Sequence, residues 1–285
     1  MEIGIVGLGL IGGSLGLDLC DRGHTVLGIS RSPDTCTQAV LRGAVHQASS
    51  DMALLAEAAV IFICTPLGVM PQTVAALIPH LSQDTILTDV GSVKTFVVKA
   101  IEPLWPHFVG GHPMSGTEFT GIQAAQRQLF VGNPYVLTPT AATSSRSLEQ
   151  VRSLVYELGS QLYVCTPEQH DRAVAWISHL PTMISATLIQ ACLSEPDPET
   201  RALAQSLASS GFRDTSRVGG GNPQLGRMMA QFNQAEVLRS LYRYRDQLHS
   251  TISALEASQW SELETQFQHN QAERPRFLKE KPRDG

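Results

Sequence analysis

Apolar residues in the first half of the chain fall in short runs, separated by stretches whose apolar positions recur at helical spacing. The runs Glu2–Val6, Thr25–Ile29, Val60–Cys64, Thr85–Thr88 and His107–Val109 predict strands. Tyr135–Thr138 and Gln161–Val164 extend the same sheet. Short apolar strands alternating with helices imply a mostly parallel sheet covered on both faces, the layering of an α/β fold. Pro139–Ser147, rich in Thr, Ala and Ser, reads as a surface loop.

The pattern changes at Thr166. Thr166-Pro167-Glu168-Gln169 is a capping box with proline at the first helical position, which predicts a helix start. Ala173–Leu193 is apolar almost all round and predicts a buried helix. Pro181 lies inside it and predicts a kink, because the ring displaces the carbonyl four residues earlier. Asp197-Pro198 and Asn233 with Glu236 read as later helix starts. Leu238, Leu241, Leu248, Ile252 and Leu255 mark one face of a last long helix. From Gln266 onward the chain is polar, carries prolines and reads as a loose tail. The expected organisation is an α/β domain over 1–165, an all-helical domain over 166–265 and a tail over 266–285. Helices this apolar in so short a region are expected to pair with a second copy, the alternative being a monomer with a well-filled core.

Composition narrows the function classes. The 285 residues suffice for two ordinary domains, and 42% hydrophobic with 16% charged residues is the balance of a soluble globular protein. A net charge of -5 without blocks of like charge gives no support to nucleic-acid binding. Cys20, Cys36, Cys64, Cys165 and Cys192 form no Cys-x-x-Cys pair and read as reduced core residues. No membrane-spanning run is present and no signal-like segment precedes the first strand, so a cytoplasmic location is expected. No His, Asp or Glu group has metal-ligand spacing, and no metal is expected.

Gly7-Leu8-Gly9-Leu10-Ile11-Gly12 follows a predicted strand and opens a helix. The glycines permit a tight turn and close approach of backbone to a pyrophosphate, which the free N–H groups of the helix start attract. The fold is therefore expected to be the Rossmann-like, dinucleotide-binding form of the α/β class. The second strand ends in Ser30-Arg31-Ser32, with no acid to accept from ribose hydroxyls. Arg31 and the two hydroxyls suit a 2′-phosphate, and Ser32-Pro33-Asp34-Thr35 reads as a helix start offering N–H groups near Thr35. This favours NADP over NAD; the bland alternative is that Arg31 is a solvated surface residue. Thr65-Pro66 and Gly91 follow the next strands at the carboxyl edge of the sheet, where open α/β folds bind ligands.

The run Gly110-Gly111-His112-Pro113-Met114-Ser115-Gly116-Thr117-Glu118 places a histidine between a glycine turn and a proline, just past a strand. A histidine in such a loop is a candidate general base. Ser92, in Asp89-Val90-Gly91-Ser92-Val93-Lys94, reads either as a partner that orients His112 or as a helix N-cap. His179 on an apolar helix reads, taken alone, as a core histidine, and His24, His46, His80, His170, His249 and His269 as structural.

Gly-Leu-Gly-Leu-Ile-Gly-Gly-Ser at 7–14, Asp-Val-Gly-Ser-Val-Lys at 89–94 and Gly-His-Pro-Met-Ser-Gly at 111–116 together resemble the prephenate/arogenate dehydrogenase family. Ile-Ser-His-Leu-Pro at 177–181 and Gly-Phe-Arg-Asp-Thr-Ser-Arg at 211–217 are similar to its second domain. The resemblance implies NAD(P)-dependent oxidative decarboxylation of a cyclohexadienol, giving tyrosine or its keto-acid precursor. It implies His112 as proton acceptor, Arg217 as holder of a substrate carboxylate, and His179 as a substrate-side hydrogen-bond group. Thr117 and Glu118 would be pocket residues and Arg213 a second anion contact. Some members carry an aromatic residue where Asn222-Pro223-Gln224-Leu225-Gly226 ends in glycine, so this part of the pocket is expected to differ. Within the family, arogenate with NADP is favoured over prephenate. Outside it, a β-hydroxyacid or imine dehydrogenase would need a lysine that Glu168–Leu193 lacks, and a catalytically silent NADP sensor would not need both His112 and Arg217.

Overall fold

The computed structural model describes residues 1–117 and 119–278. Eight strands form one sheet: β1 (Glu2–Val6), β2 (Thr25–Ile29), β3 (Gln47–Ser49), β4 (Val60–Ile63), β5 (Ile86–Asp89), β6 (Phe108–Pro113), β7 (Pro134–Thr138) and β8 (Gln161–Val164). Their order is 3-2-1-4-5-6-7-8, and only the β6–β7 pair is antiparallel. Every strand expected from the apolar runs is present. β3 escaped that reading because Gln47-Ala48-Ser49 has no apolar run; its pairing with Leu27–Ile29 makes it a strand.

Helices α1 (Leu10–Asp21), α2 (Pro33–Leu41), α3 (Met70–Leu77), α4 (Thr95–Ile101) and α5 (Ser145–Glu157) cover the sheet. The two-residue period of β4 shows the layering. Val60 and Phe62 enter one core with Leu15, Tyr135 and Leu154, while Ile61 and Ile63 enter the other with Val74, Val97 and Phe108. A fully buried side chain of this kind contributes roughly 1.5–3 kcal/mol by leaving water. Strand order reverses between β1 and β4, which places a ligand crevice at their carboxyl ends.

β6 runs through His112 to Pro113, so Gly110 and Gly111 are strand residues and not the expected turn. Their lack of a side chain serves close packing instead. A Cβ at Gly110 would lie 2.4 Å from Thr138 Oγ1.

The helical part begins with α6 (Pro167–Val174), capped by the Thr166/Gln169 box as expected. A π-helical turn, Ala175–His179, joins it to α7 (Leu180–Leu193). The break expected from Pro181 is thus taken up as a widened turn just before the proline. Leu180 and Ser185 are the buried residues of α7, so the expected fully buried helix is covered on one side only within a single chain. α8 (Pro198–Leu207), capped by Asp197, α9 (Ser210–Ser216) and α10 (Pro223–Phe232), capped by Asn222, follow.

By compactness, a first unit spans Met1–Gln234 and takes in the sheet together with helices α6–α10. A second unit begins at Ala235 and holds nearly all of α11 (Gln234–Glu256) together with α12 (Trp260–Glu273). On α11, Leu238, Leu248, Ile252 and Leu255 are exposed. Residues 266–273 belong to α12 and are not a loose tail; the first proline of that stretch, Pro275, lies just beyond the helix. No helix among the described residues is long and apolar enough to cross a membrane.

Candidate active site

The glycine fingerprint forms a cradle at the crevice. Gly7 has φ +103°, and a Cβ there would lie 2.7 Å from the Cys64 carbonyl oxygen, so the first turn requires glycine. This contact presses the turn against the Cys64-Thr65-Pro66 segment. At Gly12 a Cβ would stand 2.0 Å from the Gly7 carbonyl oxygen, whereas at Gly9 it would meet nothing within 4 Å. Gly9 is also the N-cap of α1 and supplies no side-chain cap, leaving the first N–H groups of Leu10, Ile11 and Gly12 for a ligand. An open cradle beside an uncapped helix start fits a dinucleotide pyrophosphate. Leu8 is buried against Gly28.

At the end of β2, Ser30 Oγ accepts from Ser32 N and Ser32 Oγ accepts from Thr35 N. Both hydroxyls keep an O–H to donate outward, beside an exposed Arg31. The Thr35 amide is engaged by Ser32 in the cap of the helix start expected there.

His112 sits on β6 with 9% exposure. Its Nδ1 lies 2.8 Å from His170 Nε2, and His170 Nδ1 lies 2.8 Å from Asp171 Oδ1. His170, read from its sequence context as structural, thus lies between His112 and the Asp171 carboxylate. Nothing in the linear pattern linked positions 112 and 170; the adjacent His-Asp pair at a helix start was the available signal. Burial, then repulsion from His170, Lys94 and His179, holds the His112 pKa well below the ordinary histidine value. Burial likewise lowers that of His170, against the opposing hydrogen bond to Asp171. For Asp171, burial acts upward, but the bonds from His170 and the Lys94 and Thr95 amides outweigh it and hold the carboxyl low.

Beneath His112 lies a fully buried ion pair. Lys94 Nζ donates to Asp89 Oδ2 and, at 2.6 Å, to the Gly111 carbonyl. Asp89 in turn accepts from Gly91 N at 2.7 Å and Gly111 N at 3.1 Å. The pair thus fastens the Gly91 turn and the strand carrying His112 to the end of β5. Neither partner was a sequence-derived candidate.

Ser92 does not cap α4, whose first amides bond to the Asp171 carboxylate; its hydroxyl is buried without a partner among the described residues. Ser115 Oγ is in the same state. His179, fully buried in the π-turn, has Nδ1 3.1 Å from Asn233 Nδ2, which also donates to the Asp171 carbonyl at 2.9 Å. Asn233 therefore turns its amide nitrogen inward at the end of α10, directly before α11 starts at Gln234. Since the Asp171 carbonyl can only accept, the amide nitrogen of Asn233 must face it, and His179 Nδ1 accepts as well. The proton of neutral His179 then resides on Nε2, which has no partner among the described residues. Burial pushes the His179 pKa down to about 4.

The other expected substrate residues make no hydrogen bond or ion pair to His112 among the described residues. Thr117 is exposed beyond β6, Arg217 is exposed at the end of α9, and exposed Arg213 pairs with Asp214 at 3.0 Å. Glu118 lies outside the described residues. The backbone after Arg217 is nonetheless fixed: Ser185 Oγ accepts from Gly219 N at 2.8 Å, and a Cβ at Gly219 would stand 2.2 Å from Ala186 N. A Cβ at Gly226 would meet nothing within 4 Å, so this glycine leaves open space.

Comparison with known proteins agrees with this assembly. The family profile "Prephenate dehydrogenase, nucleotide-binding domain" matches residues 15–164, and "Prephenate dehydrogenase, dimerization domain" matches residues 166–269. Prephenate dehydrogenase of Bacillus subtilis is 32% identical over 82% of the chain, which spans 64% of that protein's length. The crystal structure of Synechocystis arogenate dehydrogenase superimposes with TM-score 0.87 at 52% identity, covering 98% of this chain and all of that one. Prephenate dehydrogenase from Aquifex aeolicus, solved with hydroxyphenyl propionate and NAD+, gives TM-score 0.92 at 25% identity and 98% coverage of both chains. With an eight-stranded nucleotide-binding sheet, a buried histidine at its carboxyl edge and both domain profiles in order, the chain belongs to the prephenate dehydrogenase family.

Proposed function

We propose that this protein catalyses oxidative decarboxylation of L-arogenate to L-tyrosine with NADP. The observation that carries the reading is the pair of buried imidazoles with opposite free valences. His112 makes its hydrogen bond through Nδ1, leaving Nε2 to accept a proton, while His179 presents an unpartnered Nε2–H. A ring hydroxyl that must lose its proton meets the acceptor, and a substrate oxygen meets the donor. Gly7, Leu8, Gly9, Leu10, Ile11, Gly12, Thr65, Pro66 and Gly91 would hold the dinucleotide, with Ser30, Arg31, Ser32 and Thr35 around the 2′-phosphate. Bound there, the nicotinamide supplies a hydride acceptor.

His112 takes the hydroxyl proton onto Nε2 as the ring carbon is oxidised to a ketone. Ser92, with its unpartnered hydroxyl, orients the imidazole or the substrate oxygen. The ketone is conjugated to the carbon that bears the ring carboxylate, so loss of carbon dioxide aromatises the ring and drives the reaction forward. Arg217 holds a substrate carboxylate through its planar fork, with Thr117, Glu118 and Arg213 as further pocket contacts.

The high identity to an arogenate dehydrogenase supports this substrate, and the acid-free end of β2 supports NADP. Prephenate with NAD(P) is the second reading, favoured by the Bacillus subtilis and Aquifex aeolicus relatives. Steady-state kinetics with both substrates and both cofactors decides between them. A higher kcat/KM for prephenate with NAD overturns both choices. The exposed apolar face of α11 supports a homodimer, and light scattering giving twice the 30.9 kDa chain mass is the expected outcome.

A further inference from the structure

His112 is useful as a base only in one of its two neutral forms. The reacting face needs a lone pair on Nε2, so the ring proton must sit on Nδ1. An isolated imidazole in solution favours neither form strongly enough to guarantee this. Something in the protein has to choose.

The choice can be traced outward from Asp171. Its carboxylate offers acceptors only, and it is held ionised by the amides of Lys94 at 2.7 Å and Thr95 at 2.8 Å. His170 Nδ1, 2.8 Å from Asp171 Oδ1, must then carry the proton. Neutral His170 has its lone pair on Nε2, and that atom lies 2.8 Å from His112 Nδ1. The only hydrogen bond this geometry admits is donation from His112 Nδ1 to His170 Nε2. We propose that His170 and Asp171 are positioning residues for the reaction, a carboxylate–imidazole–imidazole chain that locks His112 in the tautomer with Nε2 free.

The proposal rests on the reading of His112 as the proton acceptor and adds what makes it one. As the substrate O–H bond breaks and an N–H bond forms at Nε2, the positive charge on His112 is met through Nδ1–H by a ring already polarised by the Asp171 anion. Other charged or titratable groups around His112 do not do this. Lys94 and His179 repel its protonated form, and Asp89 is occupied by Lys94 and by two backbone amides. The chain is also rigidly sited. His170 and Asp171 lie in the second turn of α6, started by the Thr166 capping box, and Asp171 caps α4 directly after the segment that carries Ser92.

The tautomers can be read in the resting wild-type protein by long-range 1H–15N NMR of 15N-histidine-labelled material, independently of turnover. The expected result is a protonated Nδ1 and unprotonated Nε2 on both His112 and His170 at pH 7.5. A proton on His112 Nε2 overturns the proposal. His170→Leu removes the acceptor for His112 Nδ1–H, and His170→Gln supplies another. His170→Leu should lower kcat on the order of 10²-fold or more with KM changed only a few-fold, and His170→Gln should recover at least tenfold of the loss. Equal kcat in the two variants, or loss expressed in KM alone, overturns it. Absence of wild-type turnover with either substrate would instead defeat the functional reading and leave the tautomer measurement standing.

Discussion

Gly111 lies directly against the end of β5, so that a Cβ at this position would stand 2.7 Å from the Asp89 carbonyl oxygen and 3.1 Å from Thr88 Oγ1. The neighbour is backbone and cannot swing aside. Gly111→Ala must therefore push β6 away from β5 and carry His112 with it. The expected cost is about 1–3 kcal/mol of stability, with kcat falling more than KM rises. Thermal denaturation and steady-state kinetics on the same variant test this, and a wild-type melting temperature would show that the strand yields without strain.

Lys94 and Asp89 are both fully buried, and removing one leaves the other charge unmatched. Lys94→Met should destabilise the protein by about 3–5 kcal/mol in urea denaturation. Adding Asp89→Asn should restore part of the loss, since the leftover carboxylate is then gone. Stability of the single variant equal to wild type would show that the buried pair adds no net stability.

The buried histidines set the pH response. His179 has its pKa pushed from the ordinary 6.5 to about 4 by burial, and His112 is also held well below 6.5. The unfolded chain therefore protonates first as pH falls, which favours unfolding. The His179 contribution is present above pH 6.5 and is lost between 6.5 and about 4, and that of His112 also declines as pH falls below 6.5. Melting temperature should fall across that window, and His179→Gln should flatten the slope. For the same reason kcat/KM should keep its base in active form below pH 6.5, and an acid limb centred above 7 would contradict the environment of His112.

His112→Ala should abolish turnover by on the order of 10²–10⁴-fold while NADP binding, followed by fluorescence quenching, stays near wild type. Arg217→Ala should chiefly raise the KM of the substrate. Comparable activity in the first variant removes His112 as the base; an unchanged KM in the second removes Arg217 from the pocket.

The sequence by itself determined the layers. Apolar runs of strand length, the glycine fingerprint and the Thr166 capping box are local signals, each decided by a few neighbouring residues, and all of them stand in the structure. His112 was legible because its motif is contiguous, although Gly110 and Gly111 proved to be close-packed strand residues. Tertiary structure alone decided which groups surround that histidine. His170 is separated from it by 58 residues and Lys94 by 18, and no periodicity reports that α6 and the β5–α4 turn converge on one strand end. Asn233 illustrates the same limit: read locally it marks the start of a helix, which begins at Gln234, but nothing local reports that its amide nitrogen reaches His179 and the Asp171 carbonyl. Hydrogen bonds between distant elements depend on how the layers pack, and packing is a property of the whole chain.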